Sequence, residues 1–207
     1  MQSLISRIKQ ILVIRQNHLF YYKYGTPLDI PLKSLPDNMK LIYPADFNQL
    51  TPGMLDGGES EYIGLRERIL LNDQLGVIIR YGKVVHRSLV QTAGTAAMEG
   101  DPRAIKLETG EKYIHWCETM ESCFGLGLYS TMLRVILEKS NHEPGFQTAY
   151  IACRQDNIGS IKGVLKAGFN YLKSSHAVSF LGRIYSHTSW YQHPRPPRLT
   201  PDHKYAF

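Results

Sequence analysis

Glu121-Ser122-Cys123-Phe124-Gly125-Leu126-Gly127-Leu128 stands between a strand-like run and a helical one. Two glycines at alternate positions, where a strand gives way to a helix, make a turn that exposes backbone N–H groups. Those donors and the positive end of the following helix dipole form a ready site for phosphate. A side chain there would block close approach of an anion to the backbone. Taken alone, G-x-G is a weak signal. A second signature further on strengthens it: Asn157-Ile158-Gly159-Ser160, leading to Lys166-Ala167-Gly168-Phe169.

Around these motifs the elements read in a definite order. Met1 to Ile14 has Leu4, Ile5, Ile8, Ile11 and Leu12 at helical spacing, an amphipathic helix rather than a signal peptide. Leu19 to Tyr24 is an aromatic strand, and 26–58 is loop with one short helix starting near Pro44-Ala45-Asp46. Glu59 to Asn72 is a helix. Leu75 to Tyr81 and Val84 to Val90 form a hairpin about a Gly82-Lys83 turn. Residues 95–110 read as loop. Lys112 to Thr119 is a strand, Leu128 to Lys139 a helix and Thr148 to Cys153 a strand. A helix at Ile158 to Ala167 and a strand at Tyr171 to Leu181 follow. This order implies an α/β fold: a mixed, mainly antiparallel twisted sheet of six to seven strands flanked by helices.

The chain has 207 residues, 43% hydrophobic and 20% charged, which is enough for one domain with a real core. We place that domain at 1–186 and a Pro-rich, basic and aromatic arm at 187–207. The net charge of +6 is compatible with nucleic acid, an anionic membrane surface or a polyanionic small molecule. The basic residues are scattered without Lys/Arg runs, so a phosphate-rich cofactor explains the excess and no nucleic-acid partner is expected. Three cysteines without a C-x-x-C pair argue against a disulfide framework or zinc site, and for a reducing, cytoplasmic setting. None of the eight histidines has metal-ligand spacing, so no metal is expected. No segment is long and apolar enough to span a bilayer.

On its two motifs the chain resembles the GNAT superfamily of acyl-CoA-dependent N-acyltransferases. That family's Arg/Gln-x-x-Gly-x-Gly/Ala hallmark falls on Ser122 to Gly127, with both glycines matched and Ser122 in the leading position. Its second hallmark is a strand, an Asn opening a helix, and a helix ending in Gly-Phe. Here those are Tyr150 to Cys153, Asn157, and Gly168-Phe169; the likeness spans about residues 75–182.

The resemblance implies transfer of an acyl group, acetyl by default, from acetyl-CoA to a primary amine on a small molecule or peptide. Coenzyme A would lie along Cys117 to Thr119, its pyrophosphate on the amides of Phe124, Gly125, Leu126, Gly127, Leu128 and Tyr129. Asn157 and Lys162 would contact it from the later helix. Glu118 and Glu121 are the candidate general bases, and His86 and Arg87 the candidate contacts to the acceptor. Arg87 would suit a carboxylate or phosphate on the acceptor. The tyrosine that the family uses to protonate the leaving thiolate falls on Val164, which leaves Tyr129 or Tyr171 as a substitute, or a thiolate that leaves unaided. His115 with Cys117 reads as a nucleophilic pair or, better, as a strand carrying an inert buried cysteine. The tail residues Trp190, Tyr191, His193 and Arg195 are candidates to line the acceptor pocket or a homodimer interface. Two rival readings are an acyl-CoA-binding regulatory module that has lost its chemistry, and a nucleic-acid-associated protein.

Overall fold

The computed structural model describes residues 15–24, 34–96, 105–180 and 183–186. The expected helix at 1–14 and the arm from 187 onward lie outside the described residues. Ten strands are described, in chain order β1 (Arg15–Tyr24), β2 (Met39–Ile42), β3 (Gln74–Arg80), β4 (Lys83–Gln91), β5 (Thr95–Ala96), β6 (Ile105–Lys106), β7 (Glu111–Thr119), β8 (Thr148–Arg154), β9 (Phe169–Phe180) and β10 (Arg183–Ser186). Three α-helices accompany them: α1 (Gly58–Leu70), α2 (Leu128–Asn141) and α3 (Ile158–Lys166).

Eight strands form one sheet in the order β10-β9-β1-β8-β7-β4-β3-β2, and β5 pairs only with β6. Every pairing in that sheet is antiparallel except β7 with β8. The fold is therefore the expected mixed, mainly antiparallel α/β sheet, with the short edge strands β2 and β10 added. Two of those strands, β3 and β4, are buried continuously along their middles because both faces of the sheet are covered. The helix α1 packs its Leu65 with Leu75, Val77, Val84 and Leu89 on one face. On the other, α2 buries Leu128, Met132, Leu133, Ile136 and Leu137 against Ile78, Val85, Val90 and Ile114, with α3 beside it. Each fully buried side chain of that kind contributes about 1.5–3 kcal/mol of transfer free energy.

Three local expectations are corrected. The β3–β4 turn is Tyr81-Gly82 rather than Gly82-Lys83, with φ of 49° and 74°. Two consecutive left-handed residues match the twist of the flanking strands, which explains the shift. The 95–110 segment contains the β5–β6 pair, too short to carry an alternation signal. The short helix near Pro44 is a 3-10 turn at Phe47–Gln49, capped by the Asp46 carboxylate accepting from Asn48 N–H at 3.0 Å.

The least expected placement is β1. It lies between β8 and β9, with Leu19 opposite Arg154 on one side and Ser175 on the other. A strand from the start of the chain thus sits among the strands of its last third.

Candidate functional site: a gap between two parallel strands

The parallel ladder between β7 and β8 begins at Glu111↔Thr148 and ends at Ile114↔Ile151. Both strands continue, β7 to Thr119 and β8 to Arg154. From His115 onward β7 therefore keeps its β4 partner and has no rung to β8. Backbone groups that leave a ladder must be paired otherwise, so the β8-facing edge of His115 to Thr119 is an open template for an extended ligand.

A bulge accompanies the separation. The β4–β7 register shifts between Arg87 and Leu89, and Trp116 opposite it has φ of 47°. A bulky residue in the left-handed region costs about 1–3 kcal/mol and persists only where its surroundings impose it. Arg87 imposes it. Its Nη1–H donates to the Trp116 carbonyl at 2.9 Å and its guanidinium stacks 4.7 Å from the Trp116 ring. Its Nε–H donates to Glu61 Oε1 on α1 at 2.5 Å, and its Nη2–H to Glu118 Oε2. The indole in turn rests on Gly64 of α1, where an added Cβ would come 3.0 Å from it.

This cluster contains two of the expected site residues. Arg87 is 5% exposed with all three nitrogens engaged, so it is a structural clamp rather than a contact for an acceptor carboxylate or phosphate. Glu118 carries that guanidinium on one oxygen while its side chain is 64% exposed. A cleft beside it is lined by Asp56, Glu61, Val84, Val85, His86, Arg87, Glu118 and Met120.

The opposite face of the same strands holds a second group of polar side chains. His86 is 1% exposed, with Nδ1 2.7 Å from Thr119 Oγ1 and Nε2 3.0 Å from Ser88 Oγ. Burial, and then the positive Arg87, push its pKa down to about 3. It is a neutral core histidine with both nitrogens occupied. The Tyr129 hydroxyl lies against the thiols of Cys117 and Cys153. Desolvation first, then those thiols, raise it well above the ordinary phenol value. Desolvation likewise pushes Cys117 up to about 11 and Cys153 up to about 12, so both are protonated, weakly nucleophilic thiols. Cys117 and His115 do not form a side-chain pair; on His115 the thiol reaches the backbone carbonyl, at 3.5 Å. The imidazole instead holds Asp73, its Nε2 lying 3.0 Å from Oδ2.

The glycine turn follows directly. Glu121–Cys123 is a 3-10 turn, Gly125 has φ of 79°, and Gly127 (φ 80°) caps α2. Nothing lies within 4 Å of a Cβ built on Gly125, which leaves the approach to the backbone open. No acidic residue occupies the first turn of α2 or of α3, so neither helix dipole is opposed there. Two of the expected amides are spent inside the turn: Phe124 N–H donates to Glu121 at 3.0 Å and Leu126 N–H to Cys123 at 3.4 Å. The amides of Leu128 and Tyr129, in the first turn of α2, have no intrahelical acceptor.

Asn157 caps α3, its Oδ1 accepting from Ser160 N–H at 3.0 Å. Lys162 is exposed on α3, and Glu121 is exposed in the 3-10 turn. Val164, in the position of the family's tyrosine, is 0% exposed in the core. Among the described residues no three His, Cys, Asp or Glu side chains are arranged to hold a metal ion, and no helix is long and apolar enough to cross a membrane.

No protein-family model and no curated protein matches the chain. Solved structures do. A GNAT-family acetyltransferase from Colwellia psychrerythraea aligns at 13% identity over 91% of this chain and 62% of that one, with a TM-score of 0.52. A tandem GNAT protein from the clavulanic acid biosynthesis pathway aligns at 13% identity over 81% and 54%, TM-score 0.57. A GCN5-related N-acetyltransferase from Sphaerobacter thermophilus aligns at 10% identity over 91% and 57%, TM-score 0.53. The chain thus spans little more than half the length of these structures. It has the GNAT-like α/β fold.

Proposed function

We propose that the protein is an acyl-CoA-dependent N-acyltransferase, moving an acetyl group from acetyl-CoA to a primary amine by direct attack on the thioester. The observation that carries this reading is the loss of pairing after Ile114↔Ile151, immediately before a turn with two left-handed glycines at the start of α2. The free edge of Cys117 to Thr119 would hold the pantetheine arm as an added strand. The Gly125–Gly127 turn and the amides of Leu128 and Tyr129 would take the pyrophosphate, with Asn157 and Lys162 nearby on α3. An N–H in the gap would stabilise the oxyanion as the amine adds. Tyr129, whose hydroxyl is protonated and meets the thiols of both strands, is the candidate donor to the leaving thiolate.

The second reading is an acyl-CoA-binding module without turnover. It is favoured by Val164 in the core and by Arg87 on Glu118. Calorimetry with coenzyme A and acetyl-CoA, followed by thiol-release assays over a panel of amines, separates the two. Binding with turnover on at least one amine is the expected result. Binding without turnover would establish the module, and absence of binding would remove both. Gly125→Val, which forces a β-branched residue to a φ of 79°, is expected to weaken coenzyme A binding about tenfold or more.

A further inference from the structure

The amine has to lose a proton before it can attack, and the carboxylates expected for that task are poorly arranged for it. Glu118 is tied to the Arg87 guanidinium, and Glu121 lies exposed in the turn beyond the strand. His86 has both nitrogens occupied within the core.

One basic group at the gap is differently placed. His115 is the first residue of β7 beyond the last rung to β8. Its imidazole is 16% exposed, and its Nε2–H donates at 3.0 Å to Asp73, a carboxylate only 7% exposed in the turn between α1 and β3. A ring fixed through one nitrogen by a buried carboxylate has its tautomer set, which leaves the other nitrogen, here Nδ1, as the proton acceptor. The bulge also matters. In a regular strand residues 115 and 118 point to opposite faces, but the extra residue at Trp116 puts His115 and Glu118 on the one face that α1 covers. His115 therefore stands at the mouth of the gap, on the face opposite the Tyr129–Cys117–Cys153 group.

We propose that His115, oriented by Asp73, is the general base of the acyl transfer. The proposal rests on the acyltransferase reading above. Nδ1 takes a proton from the acceptor ammonium, and the freed amine forms the C–N bond at the thioester carbon. The C–S bond breaks, the leaving thiolate takes the Tyr129 hydroxyl proton, the second amine proton returns to that phenolate, and the imidazolium releases its own to solvent. Asp73 is a positioning residue, acting through the ring. The groups around the imidazole are Asp73 from the α1–β3 turn and Tyr113, stacked at 5.7 Å on its own strand. Leu89 faces it from β4, and Arg87 and Glu118 lie further along the same face.

The test uses the full chain and the amine that gives the fastest thiol release. His115→Gln is expected to lower kcat about 100-fold or more near neutral pH, with coenzyme A affinity within threefold of wild type. That deficit should shrink as the pH rises toward the pKa of the amine, which then deprotonates unaided. Asp73→Asn should lose less, about tenfold, with the same pH trend, and Asp73→Glu should recover part of it. A His115→Gln kcat close to wild type, or a loss independent of pH, would overturn the assignment while leaving the acyltransferase reading intact. If Asp73→Asn unfolds the protein, the His115→Gln pH profile alone decides. A wild-type protein that binds coenzyme A and transfers to no amine would overturn both.

Discussion

At the scale of single residues, His86 and Gly163 have the most to say about why this core is built as it is. The folded pKa of His86, about 3, lies below the ordinary 6.5 of a free imidazole. Between those values the unfolded chain binds a proton that the folded chain refuses. Stability contributed by the neutral ring is thus full above about pH 6.5 and falls as the pH drops toward 3, by up to about 1.4 kcal/mol per unit. Urea unfolding near neutral pH and again about two units lower should show the loss, and His86→Gln should flatten it. At Gly163 an added Cβ would stand 2.5 Å from the Tyr129 ring. Helix propensity favours alanine there by about 1 kcal/mol, whereas overpacking a fixed ring costs about 1–3 kcal/mol. Gly163→Ala should therefore lower stability by about 1 kcal/mol and disturb Tyr129, measurable as a shifted denaturation midpoint. Neither role could be read in the sequence. Pattern reasoning finds a glycine in a helix or a histidine in a strand, but not the partner that tertiary packing brings to it.

At the scale of elements, the bulge in β7 depends on α1 through a single cation. Arg87 joins a carboxylate on α1, a carboxylate on β7 and the strained Trp116 carbonyl. Arg87→Met leaves Glu61, whose side chain is 14% exposed, without its counter-charge. Removing one partner of a buried pair costs about 3–5 kcal/mol; solvent already screens Glu118, so the lower end is expected. Chemical denaturation should report about 3 kcal/mol lost, and coenzyme A binding should weaken beyond what unfolding accounts for. The elements themselves were largely legible. Apolar runs, the Gly-x-Gly turn and the Asn cap located β3, β4, β7, α2, β8 and α3 to within a few residues. The clamp was not, because Arg87, Glu61 and Glu118 are each an ordinary charged residue until three elements converge. Sequence places His115 two residues from Cys117, while its actual partner Asp73 lies in another turn.

At the scale of the molecule, both recognisable motifs lie within the later part of the chain, yet the sheet there is incomplete without β1. A fragment beginning after Tyr24 would retain Gly125–Gly127, Asn157 and Gly168-Phe169. It would also leave the facing edges of β8 and β9 without the strand between them. Such a fragment should fail to fold, and circular dichroism with a thermal scan should find no cooperative transition. Strand identity was readable from Leu19 to Tyr24, but its neighbours were not. Periodicity reports which face a strand buries, not which edge it joins.

The position of β1 also bears on how the protein is made. Synthesis delivers this aromatic strand well before β8 and β9, to which both of its ladders belong. Until β8 and β9 emerge, Leu19, Tyr21 and Tyr22, all buried in the finished sheet, have no native surface to join. Non-local pairings of this kind close slowly and leave strand edges open to wrong partners. The nascent chain thus carries an exposed β segment until β8 and β9 have been made, and its central sheet can be completed only then.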